Sequence, residues 1–212
     1  MKYYKFLNRY LTHNGFTYKP NSTNTDILPF NPTGSCMPGG LYFAREDCLY
    51  FIDDYVCEAE PIGEVYKELG PIEKWKAHSL KLGPLMRTRD VLEKLIAEGA
   101  RPVTRALMWA ACNNCVRLVE LLLKAGVKPT SDVLFEALYD NRKEVVKLLL
   151  KAGAKPSSYA LDQACCDGNI EVVKLLLEAG ARPTKYTFAL VNWKHNAEIM
   201  KLLGASNDSN QL

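Results

Sequence analysis

Between residues 104 and 184 one arrangement of apolar and charged positions is written three times at a spacing of 27 residues: RLVELLLKAGVKPT, KEVVKLLLKAGAKPS and IEVVKLLLEAGARPT. The Gly of the Ala-Gly pair falls at Gly126, Gly153 and Gly180, and one further period upstream reaches Gly99 in VLEKLIAEGARPV. Self-similarity at a fixed period means that one small supersecondary unit is stacked on copies of itself.

The charge and apolar spacing within a copy defines that unit. In the third copy Val172, Leu175, Leu176 and Ala179 recur at helical spacing with charges between them, which predicts an amphipathic helix. Gly180 stands where the chain leaves a helix in a left-handed conformation, and Pro183 follows where the helix cannot continue. Ahead of it, Tyr159 to Cys166 reads as a shorter apolar helix closed by the turn former Asp167-Gly168-Asn169. Two antiparallel helices result, and their apolar faces are covered only when units stack.

Upstream the texture changes. Met1 to Leu7 reads as a strand, Asn14-Gly15 as a turn and Phe16 to Tyr18 as a second short strand. Residues 19–40 are rich in Pro, Gly, Asn and Thr and read as a long loop. Gly39 to Ala44 reads as a buried strand, and Arg45 to Tyr55 as a helix through Leu49 and Ile52. Val56 to Ile62 and Ala77 to Leu82 read as strands joined by a loop holding Lys74-Trp75-Lys76. Thr88 is the expected N-cap of the first helix, with Asp90 in its first turn.

These elements predict a small α+β domain over residues 1–86, capping an all-α helical-repeat solenoid over 87–206. The solenoid divides into a half repeat (87–103), full units 104–130, 131–157 and 158–184, and a truncated cap at 185–206 whose final helix is shortened, before a flexible tail at 207–212.

Charge excludes some partners. The net charge of +3 is near neutral, with nine Lys/Arg against ten Asp/Glu before Arg87 and eighteen against fourteen from there on, so neither nucleic acid nor a membrane surface is an expected partner. No apolar window approaches the ~20 residues of a membrane span, and the start MKYYKFLNRYLTHNG lacks a secretory signal's apolar run. Seven cysteines without framework spacing suit a reducing compartment, so an intracellular location is expected.

LDQACCDGNIEVVKLLLEAGARP resembles the ankyrin repeat, with Leu161, Ala164, Gly168, Val172-Val173, Leu175-Leu176-Leu177 and Gly180-Ala181 at that family's positions. The family's Thr-Pro-Leu-His opening is replaced by Tyr159-Ala160-Leu161-Asp162, and the period is shorter than the usual ~33 residues. The resemblance implies that the finger between units is trimmed to a tight loop and that a partner protein binds the concave face. The run His13-Asn14-Gly15-Phe16, then Pro38 to Phe43, then Lys74 to Ala77, ahead of ankyrin copies, is similar to ankyrin-repeat proteins of large DNA viruses of the mimivirus kind. That likeness implies a viral effector or scaffold acting on a host or viral protein in the host cytoplasm.

The ankyrin resemblance supplies the site candidates. The end of the inner helix, which lines the concave face in such arrays, falls at Cys112-Asn113, Tyr139-Asp140, Cys166-Asp167 and Trp193-Lys194. Met108, Phe135 and Asp162 form a second row one period apart. Tyr139 and Trp193 are the expected anchors, because large aromatic side chains carry disproportionate binding energy.

Enzyme chemistry finds less support. Cys112-Asn113-Asn114-Cys115 has metal-knuckle spacing without a second pair nearby, so neither a metal nor another cofactor is expected. Gly39 to Ala44 followed by Tyr50 and by Val56 to Glu60 is similar to the middle of ADP-ribosyltransferases, in which Tyr42 would match the tyrosine that stacks on nicotinamide. That family's His-Gly or Arg on the first strand is absent, since Tyr3 to Asn8 offers only Lys5, so the alternative is a degenerate or active nicotinamide-nucleotide domain for which the repeats recruit substrate. Glu58 and Glu60, two apart on a strand, are expected on its solvated face.

Overall fold

The structure is a computed structural model describing residues 2–13, 15–31, 40–45, 52–68, 74–100, 104–139 and 142–208, without side chains from residue 205 on. The chain divides into two compact units, Met1–Trp109 and Ala110–Leu212.

The first unit is built on a sheet whose pairings are all antiparallel. Its strands are β1 (Tyr3–Leu7), β4 (Thr23–Thr25), β5 (Leu41–Arg45), β6 (Tyr55–Glu68), β7 (Lys74–Leu82) and β8 (Met86–Arg87), in the order β4-β7-β5-β1-β6-β8. Because β7 also pairs with β6, the strands β5, β1, β6 and β7 close into a ring of pairings, which removes their open edges. A separate hairpin, β2 (Thr12–His13) with β3 (Phe16–Thr17), turns through Gly15.

Tyr3, Lys5 and Leu7 lie opposite Ala59, Cys57 and Tyr55, so Lys5 shares a face with core residues. That core gathers Leu7, Leu41, Phe43, Cys57, Trp75 and Leu80, with Tyr3 meeting Phe43 edge-on at 5.1 Å. On the outer side Glu58 and Glu60 alternate to solvent and pair with Lys2 at 3.4 Å and Lys81 at 3.2 Å.

Five expectations change here. Lys74-Trp75-Lys76 belongs to strand β7 rather than a loop, and all three side chains are buried. Strand β6 continues to Glu68 because Gly63, at φ 83°, sits in an irregularity of the ladder between Ile62 and Val65 instead of ending it. The expected long loop contains β4, held by pairing Asn24 with Leu80. The expected helix through Tyr55 falls mostly outside the described residues, but Ile52 to Asp54 are not helical and Tyr55 opens β6. Helix α1 (Thr88–Ala97) starts directly after β8, so Thr88 is already helical, its hydroxyl caps nothing, and Arg87 takes the N-cap position.

Helix α2 (Thr104–Cys112) spans the boundary between the two units. The second unit continues with α3 (Val116–Lys124), α4 (Ser131–Leu138), α5 (Lys143–Lys151), α6 (Ser158–Cys166), α7 (Ile170–Glu178), α8 (Lys185–Trp193) and α9 (Ala197–Asp208). First helices pack on first helices (α4 on α6, α6 on α8) and second on second (α3 on α5, α5 on α7, α7 on α9), giving two layers.

The 27-residue period is written in the caps. Thr130, Ser157 and Thr184 accept hydrogen bonds from the backbone of Val133, Ala160 and Thr187, each starting a first helix. Gly126, Gly153 and Gly180 end the second helices at φ 89°, 91° and 91°. After Gly153, the amide of Ala154 donates to Leu149 and that of Gly153 to Leu150, closing the last turn and burying Ala154. Residues 152–157 alone join α5 to α6, and no strand is found there.

The buried face of α7 is Val172, Val173 and Leu176, whereas Leu175 is half-buried and Ala179 is exposed beyond the helix end. The stripe is rotated because α7 packs against α6 on one side and α5 and α9 on others. Helix α9 is not shortened: Gly204 lacks the positive φ of the other glycines, so the helix runs through it to Asp208, into the expected tail.

Candidate interaction surface

The first helices present a solvent stripe at positions i, i+3, i+4 and i+7 from the second residue of each helix, since Val133-Leu134 and Ala137-Leu138 and their equivalents point into the stack. Tyr139, Tyr159, Tyr186 and Trp193 lie on or directly beyond this stripe and stand 43%, 76%, 65% and 71% exposed. Tyr159 and Tyr186 are one period apart, and each is seven residues before Cys166 or Trp193, hence on the same face two turns away.

Tyr139, just past α4, packs edge-on against half-buried Phe135 at 5.6 Å between ring centres. It borders a groove of about 700 Å³ whose far wall is the α6–α7 turn with Asp167, Gly168 and Ile170. Gln163 donates to both carboxylate oxygens of Asp167 at 3.0 Å, and Lys143 reaches Glu171 at 2.7 Å, holding that carboxyl below its ordinary range. The groove thus joins one aromatic wall to a hydrogen-bonded polar wall. Trp193, at the end of α8, carries the Lys194 ammonium 5.1 Å from its ring centre.

The remaining sequence candidates are dispersed. Cys166 is half-buried and the adjoining Asp167 exposed. Cys112 is half-buried, with its thiol pushed upward by burial, and Asn113 is exposed beside it. Met108 is half-buried in the first unit. Asp162 is committed internally, because it accepts a 2.6 Å hydrogen bond from buried Thr187. Asp140 and Tyr50 lie outside the described residues.

Cys112 and Cys115 bracket the α2–α3 turn, and the Cys115 thiol donates to the Asn113 carbonyl at 3.5 Å. Burial pushes the Cys57 and Cys165 thiols up to about 11 and about 12, away from the thiolate a nucleophile needs. Among the described residues no three His, Cys, Asp or Glu side chains are placed to hold a metal, and no helix is long and apolar enough to cross a membrane.

Tyr42 is buried in the sheet. His13 stacks on it at 6.3 Å, and the Lys76 and Lys74 ammonium groups lie 5.0 and 5.7 Å from its ring centre. Gly40 admits the Lys76 stem, for a Cβ there would come within 2.6 Å of Lys76 Cε. Two hollows border Tyr42: one of about 30 Å³ toward Lys5 and Lys74, far smaller than the ~150 Å³ cavity that takes up benzene, and one of about 190 Å³ toward Phe16 and Asp26.

Sequence reasoning missed Tyr159 and Tyr186. Tyr159 was read into an apolar helix and Tyr186 fell unremarked in the truncated cap, although their place at the second helical position in two successive copies was a usable signal.

Comparison with known families agrees with this geometry. The family described as ankyrin repeats (3 copies) matches residues 86–160 and, overlapping, residues 107–187. No curated protein matches the chain. Residues 86–187 therefore carry ankyrin repeats, behind a strand-rich region at residues 3–87, and ankyrin repeats mark a protein–protein interaction module.

Proposed function

We propose that the chain is a non-enzymatic docking protein that grips a partner protein on the exposed face of its first helices, the concave side of a curved stack. The observation that carries this reading is the set of four exposed aromatic residues Tyr139, Tyr159, Tyr186 and Trp193 on a rigid, capped scaffold. Large aromatic side chains are enriched where the binding energy of an interface concentrates. A pre-formed helical face also binds without the ordering penalty of a flexible loop.

The partner is a host or viral protein and the setting is intracellular, in the host cytoplasm. Support for this comes from the likeness to the ankyrin-repeat proteins of large DNA viruses and from cysteine usage. Replacing Tyr139 and Trp193 together by Ala tests the docking reading. Partner affinity measured by calorimetry should fall by over ~2 kcal/mol with unfolding unchanged. A loss of stability with affinity per folded molecule unchanged would assign the two rings to packing.

A further inference from the structure

The ladder between β1 and β5 stops early. Tyr3 pairs with Arg45 and Tyr4 with Ala44, but β1 runs on to Leu7 beside β6, and β5 extends back to Leu41 beside β7. Two adjacent strands inside a core normally stay bonded along their shared length, because separating them removes backbone partners.

A cavity of about 30 Å³ lies where they part, lined by Lys5 and its neighbours on β1, by Tyr42 and its neighbours on β5, and by His13 and Lys74. At about 10–15 Å³ for each water-sized atom, it takes roughly two, the footprint of a carboxylate's oxygens.

The surroundings are electropositive. Lys5 is buried, its ammonium 4.5 Å from the centre of the Tyr18 ring, and Lys74 and Lys76 bring two further ammonium groups to Tyr42, Lys74 also 3.5 Å from Glu68. Burial lowers the Lys5 pKa to about 7, only partly offset by Asp53, and burial with Lys5 and Lys74 lowers that of His13 to about 4. An anion in the gap favours the charged form of both groups.

A second, larger hollow of about 190 Å³ shares His13 and Tyr42 in its wall and is flanked by Phe16, Ile27 and Leu28, with the Asp26 carboxylate in the same wall engaged by the amides of Gly40 and Leu28. Ile27 and Leu28 are exposed there, and a hollow of this size accommodates a benzene-sized body.

We propose that the parting of β1 and β5 binds a small carboxylic acid with an aromatic or branched apolar body, its oxygens held by Lys5, His13 and Lys74 and its body lying along Phe16, Ile27 and Leu28. Lys5 and Lys74 supply charge-assisted donors, and neutral His13 supplies one N–H.

Phenylacetate added to the full chain is the probe. It should raise the unfolding temperature of the first unit by roughly 3–8 °C at about ten times its Kd. In the wild type the Lys5 Cε resonance, titrated by NMR, should move to a higher pKa on binding. Lys5→Met should bind at least about tenfold more weakly while remaining folded, because Met keeps the apolar stem.

Three results would overturn the proposal: no response to phenylacetate, an equal response in Lys5→Met, or a response matched by sodium chloride. A response to phenyl phosphate alone would overturn the carboxylate assignment. Should Lys5→Met fail to fold, the Lys5 titration in the wild type decides by itself, and an unmoved pKa refutes the site.

Discussion

The hydroxyl of Thr187, buried at the first turn of α8, donates a 2.6 Å hydrogen bond to the Asp162 carboxylate on α6 and accepts one from the Thr184 amide at 2.8 Å. One side chain therefore closes a helix cap and ties two repeat units together. A hydrogen bond to a charged group contributes about 1.5–3 kcal/mol net. Thr187→Val should destabilise the second unit by that order in urea unfolding. Asp162→Ala in the same background should then add little, since the pair is already broken.

His195 sits at φ 53°, in the inter-helix turn where the preceding copies place Gly168 at 68° and, two copies earlier still, Asn114 at 52°. A Cβ in the left-handed region costs roughly 1–2 kcal/mol, which glycine does not incur. His195→Gly should raise unfolding free energy by up to about 1 kcal/mol after the entropy of an added glycine. Gly153→Ala should do the reverse by a similar amount, although the space around Gly153 is open. Chemical denaturation of both variants checks the pair.

The sheet unit should become more stable as pH rises in two windows. His13 has a folded pKa of about 4 against an ordinary 6.5, and Lys5 about 7 against an ordinary 10.5. In both cases the unfolded chain binds more protons between the two values, so stability climbs from about pH 4 to 6.5 and again from about 7 to 10. The groups around Lys5 are Asp53, which favours its charge, and His13, Lys74 and the Tyr18 ring. Lys5→Met should abolish the upper rise and narrow the lower one without removing it, since burial and Lys74 still hold His13 down, as read by thermal unfolding across pH.

Replacing exposed Tyr159 and Tyr186 by Ser should change stability by under about 0.5 kcal/mol each, as surface positions do. Partner affinity should nevertheless fall with each replacement. An unfolding shift above ~1 kcal/mol would place these rings in the stack.

The repeats were legible because their information is local. Glycines at a left-handed helix end, cap hydroxyls at 27-residue intervals and an apolar stripe each specify the same hairpin independently. The sheet was less legible because its determinants are distant in sequence. Lys74, Trp75 and Lys76 read as a loop, but they lie in a strand whose pairing with Tyr42 and Phe43 on one side and Tyr66 and Lys67 on the other buries all three. The strand from Val56 was read as ending at Ile62, and only the opposing strand shows that it runs on past an irregularity at Gly63. At the candidate surface Tyr139 and Trp193 were named from the repeat register together with the ankyrin resemblance. Asp162 could not be distinguished from a partner contact, because its bond to Thr187 crosses between units.

Hydrogen exchange of the full chain, with and without its bound partner, tests the docking surface most directly. Binding should slow exchange at residues 131–139, 158–166 and 185–193, the first helices that carry Tyr139, Tyr159, Tyr186 and Trp193, with the strands at 3–82 unaffected. Protection confined to the strands, or to the second helices at 143–151 and 170–178, would contradict docking on the first-helix face.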